Sequence, residues 1–473
     1  MSLFSIATAA DSYKATHWNQ YPPGTEYVYS YFESRAHPFE WSGDTVFFGL
    51  QYLLKKYFKG CIVTEYEVDR ATDLWAKHFG KDNLFNREGW MHIVDKYDGR
   101  LPVSIKAVPE GTPVSTRNVL MTIENTDPKC FWLTNWLETI LVQTWYPTTI
   151  ATQSRESKKI LHRFLERTGD VAGLPFKLHD FGYRGVTCPE QAALGGAAHL
   201  VSFQGTDTFA GVEMLCDYYG ADMPGFSIPA SEHSTITAWG EANEVDAFRN
   251  MLEQYPTGLV ACVSDSYDIM RACKDYWGKE LRDKILSRNG TLVVRPDSGD
   301  PTTIVLGVLD ALGEAFGTTK NDKGYKVLPP QVRVIQGDGI DIKTMEAVLT
   351  EMASWKWSAD NIAFGSGGGL LQKVNRDTLA FAFKCSEITV NGEHRDVYKN
   401  PATDESKRSK RGRLALVWGT PKDGVERPPP GLTLCTIPAD RTEPGDDLLV
   451  EVFRDGKILK DYTLDEVRAR AAL

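Results

Sequence analysis

Residues 291–301 read TLVVRPDSGDP, and the fold turns on how that stretch is read. Leu292 to Val294 form an apolar, β-branched run that suits a strand buried on both faces. Arg295 ends the run, and a polar loop follows. Asp300 is then placed to cap a helix that takes Pro301 in its first turn and carries the stripe Ile304, Val308, Leu312 and Phe316. The same order of strand, polar loop and helix recurs in KLHDFGYRG (177–185), GFSIPASEHS (225–234), LVACVSDSYD (259–268), VRVIQGDGID (332–341) and NIAFGSGGG (361–369). Met345, Val348, Leu349 and Met352 mark one of the intervening helices. This repetition predicts an α/β protein with an irregular parallel β/α barrel over residues 177–384, whose chemistry sits in the loops after the strands.

Outside that region the rhythm is lost. Val28 to Phe32 reads as a strand after the turn signal YPPGT. A helix starts at Trp132, with the apolar pairs Trp132/Leu133, Trp136/Leu137 and Ile140/Leu141, and is expected to stop at Trp145 and Pro147. A more polar helix is expected from Ser154 to Arg167. The last ninety or so residues hold a basic run (Lys407, Arg408, Lys410, Arg411, Arg413), the loop-like VERPPPG, and a strand-like end with a turn at Asp455-Gly456. Residues 1–176 and 385–473 are therefore expected to form a second, α+β domain built from both chain ends.

Composition narrows the function classes without choosing one. The 473 residues carry 63 acidic and 53 basic side chains, a net charge of −10, which argues against a protein that coats nucleic acid or anionic membrane. No run of eighteen apolar residues is present, and the N-terminus lacks the basic and apolar regions of a secretory signal, so a cytoplasmic protein without a membrane span is expected. The eight cysteines are scattered, with no C-x-x-C pair, and read as reduced thiols rather than a zinc site. The glycine loops match neither a P-loop nor a G-x-G-x-x-G fingerprint.

The loops offer a phosphate-and-sugar vocabulary. Gly365–Gly369 presents backbone N–H groups to an anion, and Gly337-Asp338-Gly339 sets a carboxylate where backbone can approach a ligand closely. Arg295 and Asp297 suit a phosphate and ribose hydroxyls or a hydrated Mg2+. Phe181 offers a stacking ring beside Arg184. His233, flanked by Glu232, is a candidate nucleophile or proton carrier, with Asp265 as the group that orients it.

The strings DSYKATHWNQYPPGTEYVYSYFESR, WLTNWLETILVQTWYP, KLHDFGYRG, GTDT, EHSTITAWG, VSDSYDI, RPDSGDP, IQGDGIDI, AFGSGGGLLQK and KRSKRGRL, in that order and spacing, closely resemble the nicotinamide phosphoribosyltransferases from Asp11 to the C-terminus. The resemblance implies a phosphoribosyltransferase of the nicotinate/nicotinamide/quinolinate class, moving the phosphoribosyl group of 5-phosphoribosyl-1-pyrophosphate onto nicotinamide. It implies a homodimer with active sites at the subunit interface, Mg2+, and ATP as a coupled co-substrate that phosphorylates His233. By the same resemblance Phe181 and the partner's Tyr13 sandwich the nicotinamide ring, and Asp207 accepts from its carboxamide. Arg184 and Arg295 hold ligand near the ring and ribose, Asp297 takes the ribose hydroxyls, and Gly337, Asp338, Gly339, Gly367 and Gly368 hold sugar and 5′-phosphate. Arg376, Lys384, Lys399 and Lys407 bind phosphates, and Glu232 and Asp265 orient His233. No protein ligand of the metal is assigned beyond Asp297. The alternatives are a nicotinate phosphoribosyltransferase and a catalytically silent binding or signalling homologue.

Overall fold

The structure, a computed structural model, describes residues 5–37, 43–400, 408–419, 434–443 and 445–473. The chain divides into two compact units, one of residues 1–152, 218–220 and 374–472, the other of residues 153–217 and 221–373.

In the second unit six parallel strands run in the spatial order Gly205–Thr206, Leu178–Asp180, Ile362–Ser366, Val332–Gln336, Asn289–Arg295, Thr257–Val263. The segment 226–231 pairs with both edges. Phe226 bridges Gly205 and Ala230 bridges Ala261, and Thr206 N donates to Phe226 O at 3.0 Å while Ser231 N donates to Ala261 O at 3.1 Å. The sheet thereby curls into the irregular parallel barrel read from the sequence. Ala261, Val293 and Ile335 pack together, with Ile228, Ala363 and Phe181 against them. Two cations serve the opening turns of the strands: Lys177 Nζ donates to the carbonyls of Ala359, Asp360 and Ile362, and Arg333 Nη1 to those of Leu328, Pro329 and Val332. Burial pushes the Lys177 ammonium down to about 8.

The helices between the strands form for the reasons the sequence gives. Asp300 Oδ1 accepts from Thr303 N at 2.9 Å and Pro301 opens the helix Pro301–Phe316, which buries Val308, Leu312 and Phe316. The helix Ile342–Ser354 buries Met345, Val348, Leu349 and Met352.

The first unit holds a seven-stranded antiparallel sheet in the order Glu393–Asp396, Ala382–Val390, Thr25–Glu33, Val119–Asn125, Val103–Ala107, Val450–Arg454, Lys457–Ile458. Two readings change here. The expected domain edge at 384/385 falls inside a strand that pairs with Thr25–Glu33, Phe383 opposite Phe32 and Ile388 opposite Val28, so the unit resumes at residue 374. Pro147 does not stop a helix. It lies in the first turn of Trp145–Thr168, where a missing N–H leaves no bond unmade, and Leu133–Leu141 leads into that helix through the short turn Val142–Thr144. The other unit edge accordingly falls at 152/153, within this helix, and not at 176/177.

Three members of the basic run lie against carboxylates of the same unit. Lys410 pairs with Glu33, Arg411 lies 3.8 Å from Asp396, and Arg413 binds Glu124 at 2.7 Å and Glu387 at 2.9 Å. These cations brace the sheet. Lys407 lies outside the described residues. All eight cysteines are free, and no helix among the described residues is long and apolar enough to cross a membrane.

Candidate active site

A cleft of about 960 Å3 opens on the barrel, lined by loops that follow its strands. Phe181 follows the strand Leu178–Asp180. Its N–H donates to Ser366 O at 3.0 Å, and its ring rests on Gly365, where a Cβ would come within 1.9 Å of a ring carbon. No larger residue leaves that ring in place. The Arg295 guanidinium stands 5.6 Å from the ring centroid, held by two bonds to Asp297 Oδ1, from Nε at 3.1 Å and Nη2 at 2.7 Å. Asp297 N and Ser298 Oγ in turn donate to Asp265 Oδ2 at 2.9 and 2.5 Å. One hydrogen-bonded array thus fixes the stacking ring, the arginine and two carboxylates.

His233 completes it. Its Nε2 lies 3.4 Å from Asp297 Oδ2 and 3.8 Å from Asp265 Oδ1, and its Nδ1 lies 3.1 Å from Ser266 Oγ. Of the two carboxylates, Asp297 stands nearer the imidazole, whereas the sequence reading gave the orienting role to Asp265 and Glu232. Glu232 serves the helix His233–Thr237 instead, as its N-cap residue with Thr235 Oγ1 on its backbone N–H, and its carboxylate receives Ser234 Oγ. Asp207 follows the shortest strand, and its carboxylate accepts from Ser227 Oγ at 2.5 Å. Arg184, Asp338 and the glycines at 337, 339, 367 and 368 line the same cleft, as does Lys373, which the sequence reading missed.

The remaining candidates lie elsewhere. Tyr13, Arg376, Lys384 and Lys399 line a cleft of about 570 Å3 in the first unit, together with Arg35 and Arg117. Burial pushes the Lys384 ammonium below its ordinary value, and the nearby charge of Arg35, with Lys399 and Arg376 behind it, pushes the same way. Arg35 Nε is held by Glu33 Oε1 at 2.9 Å, while its buried Nη2 has no hydrogen-bond partner among the described residues. Lys14 is already spent, on Glu138 Oε2 at 2.7 Å and Asn135 O at 2.6 Å. Crowded cations with an unfilled donor are the arrangement a polyanion relieves. Arg35 ends the string DSYKATHWNQYPPGTEYVYSYFESR without a role being assigned to it, and Arg117 lies in none of the quoted strings.

The acidic loops offer Mg2+ few oxygens that are not already bonded. Asp297 Oδ1 is taken by Arg295 and Asp265 Oδ2 by Ser298 and the Asp297 backbone, which leaves Asp297 Oδ2 and Asp265 Oδ1, facing His233 Nε2 at 3.4 and 3.8 Å, as the two carboxylate oxygens of this array open to a cation. The His92, Asp127 and Cys130 grouping in the first unit already holds the Lys96 ammonium, 2.7 Å from Asp127 Oδ2.

The nicotinate phosphoribosyltransferase family profile matches residues 176–457, and the nicotinamide phosphoribosyltransferase N-terminal domain profile matches residues 5–105. A nicotinamide phosphoribosyltransferase of Xanthomonas campestris is 50% identical over 473 residues, covering 99% of this chain and 98% of the relative. One from Acinetobacter baylyi is 35% identical over 98% of this chain and 96% of its own length. Among solved structures, the nicotinate-nucleotide pyrophosphorylase of Pyrococcus furiosus aligns with a TM-score of 0.61 at 16% identity, over 100% of this chain and 97% of that one. The human nicotinic acid phosphoribosyltransferase aligns at 0.54 and 18%, over 98% and 92%. These two likenesses are of fold.

Proposed function

The chain belongs to the nicotinamide phosphoribosyltransferase family, and on that premise we propose how its two clefts divide the work. The reaction joins nicotinamide to the ribosyl carbon of 5-phosphoribosyl-1-pyrophosphate, forming nicotinamide mononucleotide and releasing pyrophosphate. The pyridine nitrogen carries no proton, so no general base is required. The enzyme must instead hold that nitrogen in line with an oxocarbenium-like carbon and neutralise the leaving group.

In our reading Phe181 stacks on the nicotinamide ring and Asp207 accepts from its carboxamide. A carboxylate there favours the amide and repels nicotinate, which has no proton to donate. Asp297 and the Gly337–Gly339 loop hold the ribose, and the Gly367–Gly369 loop takes the 5′-phosphate on its backbone N–H groups. Arg295 stands beside Phe181 toward the pyrophosphate-bearing ribose, and Arg184 near the ring. Mg2+ bound through pyrophosphate oxygens and water would offset the charge that grows on the leaving group. The observation that carries this reading is the array Phe181–Arg295–Asp297–Asp265–His233, which fixes ring, sugar and histidine groups relative to one another.

The cationic cleft of the first unit supplies the remaining phosphate contacts. We assign Tyr13, Arg376, Lys384 and Lys399 to the barrel cleft of a second copy of the chain, so that the working enzyme is a homodimer. Lys407 would add to that set. ATP is a coupled co-substrate. With Nε2–H held by Asp297 and Asp265, the lone pair of His233 is left on Nδ1, which attacks the γ-phosphorus. The N–P bond forms, the bond to ADP breaks, and the proton stays on Nε2. The substrates, ATP among them, belong to the cytoplasm.

Two measurements test the assignment. Purified protein given phosphoribosyl pyrophosphate, Mg2+ and either base should make nicotinamide mononucleotide in large preference to the nicotinate product. Asp207→Asn should lower that preference about 10- to 100-fold, and an unchanged ratio removes Asp207 from substrate choice. Incubation with ATP should place acid-labile phosphate on His233, and His233→Ala should lose the ATP stimulation while keeping basal synthesis. Label retained by that variant defeats the phosphohistidine.

A further inference from the structure

Asp180 is wholly buried, with a relative exposure of 0%, and it is the last residue of the strand that leads into Phe181. Both its main chain and its side chain are tied to loops of the barrel cleft. Its carbonyl accepts from Asp207 N at 2.9 Å. Its Oδ1 accepts from Gly182 N at 2.7 Å, within the turn that carries Phe181, Tyr183 and Arg184. That turn leaves little room to shift: a Cβ on Gly182 would come within 2.5 Å of the Leu371 side chain, and Gly185 N closes it on Gly182 O at 3.0 Å. By contrast, Asp180 Oδ2 and the neighbouring Thr208 Oγ1 are buried without hydrogen-bond partners among the described residues.

A buried carboxylate is a costly choice of residue for bracing one backbone N–H. The two loops it joins are the ones assigned above to nicotinamide. The phosphate and sugar loops are held by other means: Phe181 N by Ser366 O, Asp297 by Arg295 and Asp265.

We infer that Asp180 is a positioning residue for nicotinamide: it buckles the Phe181–Arg184 turn to the Asp207 loop, so that stacking face and carboxamide acceptor keep one spacing. It touches no substrate and acts through Phe181 and Asp207. The inference rests on the nicotinamide-site reading above and deepens it. The chemistry required of residue 180 is an acceptor for Gly182 N–H in a side chain of this size. Asparagine provides that, and leucine, of nearly the same shape, does not.

The test is a comparison of Asp180→Asn and Asp180→Leu with the wild-type protein, reading kcat and the KM of each substrate separately. Asp180→Asn should keep the KM for nicotinamide within about threefold of wild type. Asp180→Leu should raise it about 10- to 30-fold, a loss of the order expected when one buried hydrogen bond is left unmade, while the KM for phosphoribosyl pyrophosphate changes less than threefold. A loss beyond tenfold in Asp180→Asn overturns the inference even if the leucine variant does not fold. So does Asp180→Leu with an unchanged KM for nicotinamide, or with both KM values raised alike. Failure of the underlying reading looks different: the wild-type protein would then make no nicotinamide mononucleotide at all.

Discussion

Four carboxylates, Asp207, Glu232, Asp297 and Asp338, share the lining of the barrel cleft with three cations, whereas the cleft of the first unit sets six cations against three carboxylates. The difference is more than a tally of charge. In the barrel the central charged groups are bonded into a fixed array, Arg295 on Asp297 and Asp297 on Asp265, so the directions of these three are set before any ligand arrives. In the other cleft cation crowds cation: Lys384 is pushed down by burial and by Arg35, and a buried guanidinium nitrogen of Arg35 goes without a partner. The first arrangement pre-organises geometry, which governs the chemical step. The second stores unfavourable charge of the kind a bound polyanion would relieve, which would govern affinity and its dependence on salt.

The sharpest way to break this contrast is to disturb geometry in the barrel while leaving its charge untouched. Gly365→Ala adds one methyl group, but its Cβ would lie 1.9 Å from the Phe181 ring, so the ring must leave its place. We expect kcat/KM for nicotinamide to fall about 100-fold or more, since a displacement of about 1 Å at a reacting group has that order of effect. Thermal unfolding of the variant, followed in parallel, should show the protein folded. Retained activity with nicotinamide would mean that the stacking face is not where the array puts it.

The next effect belongs to the cationic cleft. Arg35→Ala should raise the KM for phosphoribosyl pyrophosphate about tenfold, by loss of one charge-assisted contact, with the KM for nicotinamide within twofold. Raising salt from about 50 to 200 mM should weaken phosphoribosyl pyrophosphate binding in the wild type and less in the variant. If the variant instead alters the KM for nicotinamide, the division of labour between the clefts fails.

The same contrast explains what the sequence could reveal. The barrel loops are legible because a parallel strand must be apolar and its following loop polar, so function and fold write adjacent residues: RPDSGDP and HDFGYRG each carry a strand end and site residues together. The cap at Asp300 and the stripe through Phe316 were readable for equally local reasons. The first unit is built from pairings of distant segments. Thr25–Glu33 lies against Ala382–Val390, more than three hundred residues apart, and nothing in either strand names the other. Its cleft draws Tyr13, Arg35, Arg117, Arg376 and Lys399 from separate stretches, and a lone arginine in a loop has no pattern. Resemblance to relatives gave roles to four residues of that cleft and none to Arg35 or Arg117. In the barrel, burial hid Asp180, since an aspartate at the end of a strand does not declare in the sequence that its carboxyl is removed from water. The closing segment 226–231 was read as a strand and loop, but its pairing with both sheet edges depends on the curl of the whole sheet.

The smallest expected effect concerns that aspartate and stability. Burial lifts the Asp180 carboxyl to about 7, the bond from Gly182 N–H opposes the rise, and the charge of Asp207 adds to it. In the unfolded chain the same group ionises near about pH 4. Below both values the carboxyl is protonated in either state, and folding costs nothing on its account. Between them the unfolded chain has given up a proton that the folded one keeps, so stability falls as pH rises, and the loss levels off above about pH 7. The three units or so between the two values set a ceiling of about 4 kcal/mol, which relaxation around the site reduces. Asp180→Asn keeps the acceptor for Gly182 N–H and has no charge to bury. Its melting temperature should therefore exceed that of the wild type by about 2–4 °C at pH 8, and the gap should narrow toward pH 5. A gap that is constant between the two pH values would show that Asp180 is ionised throughout. The barrel cleft would then tolerate uncompensated buried charge as the cationic cleft does, and the electrostatic contrast between the two regions would not extend beneath their surfaces.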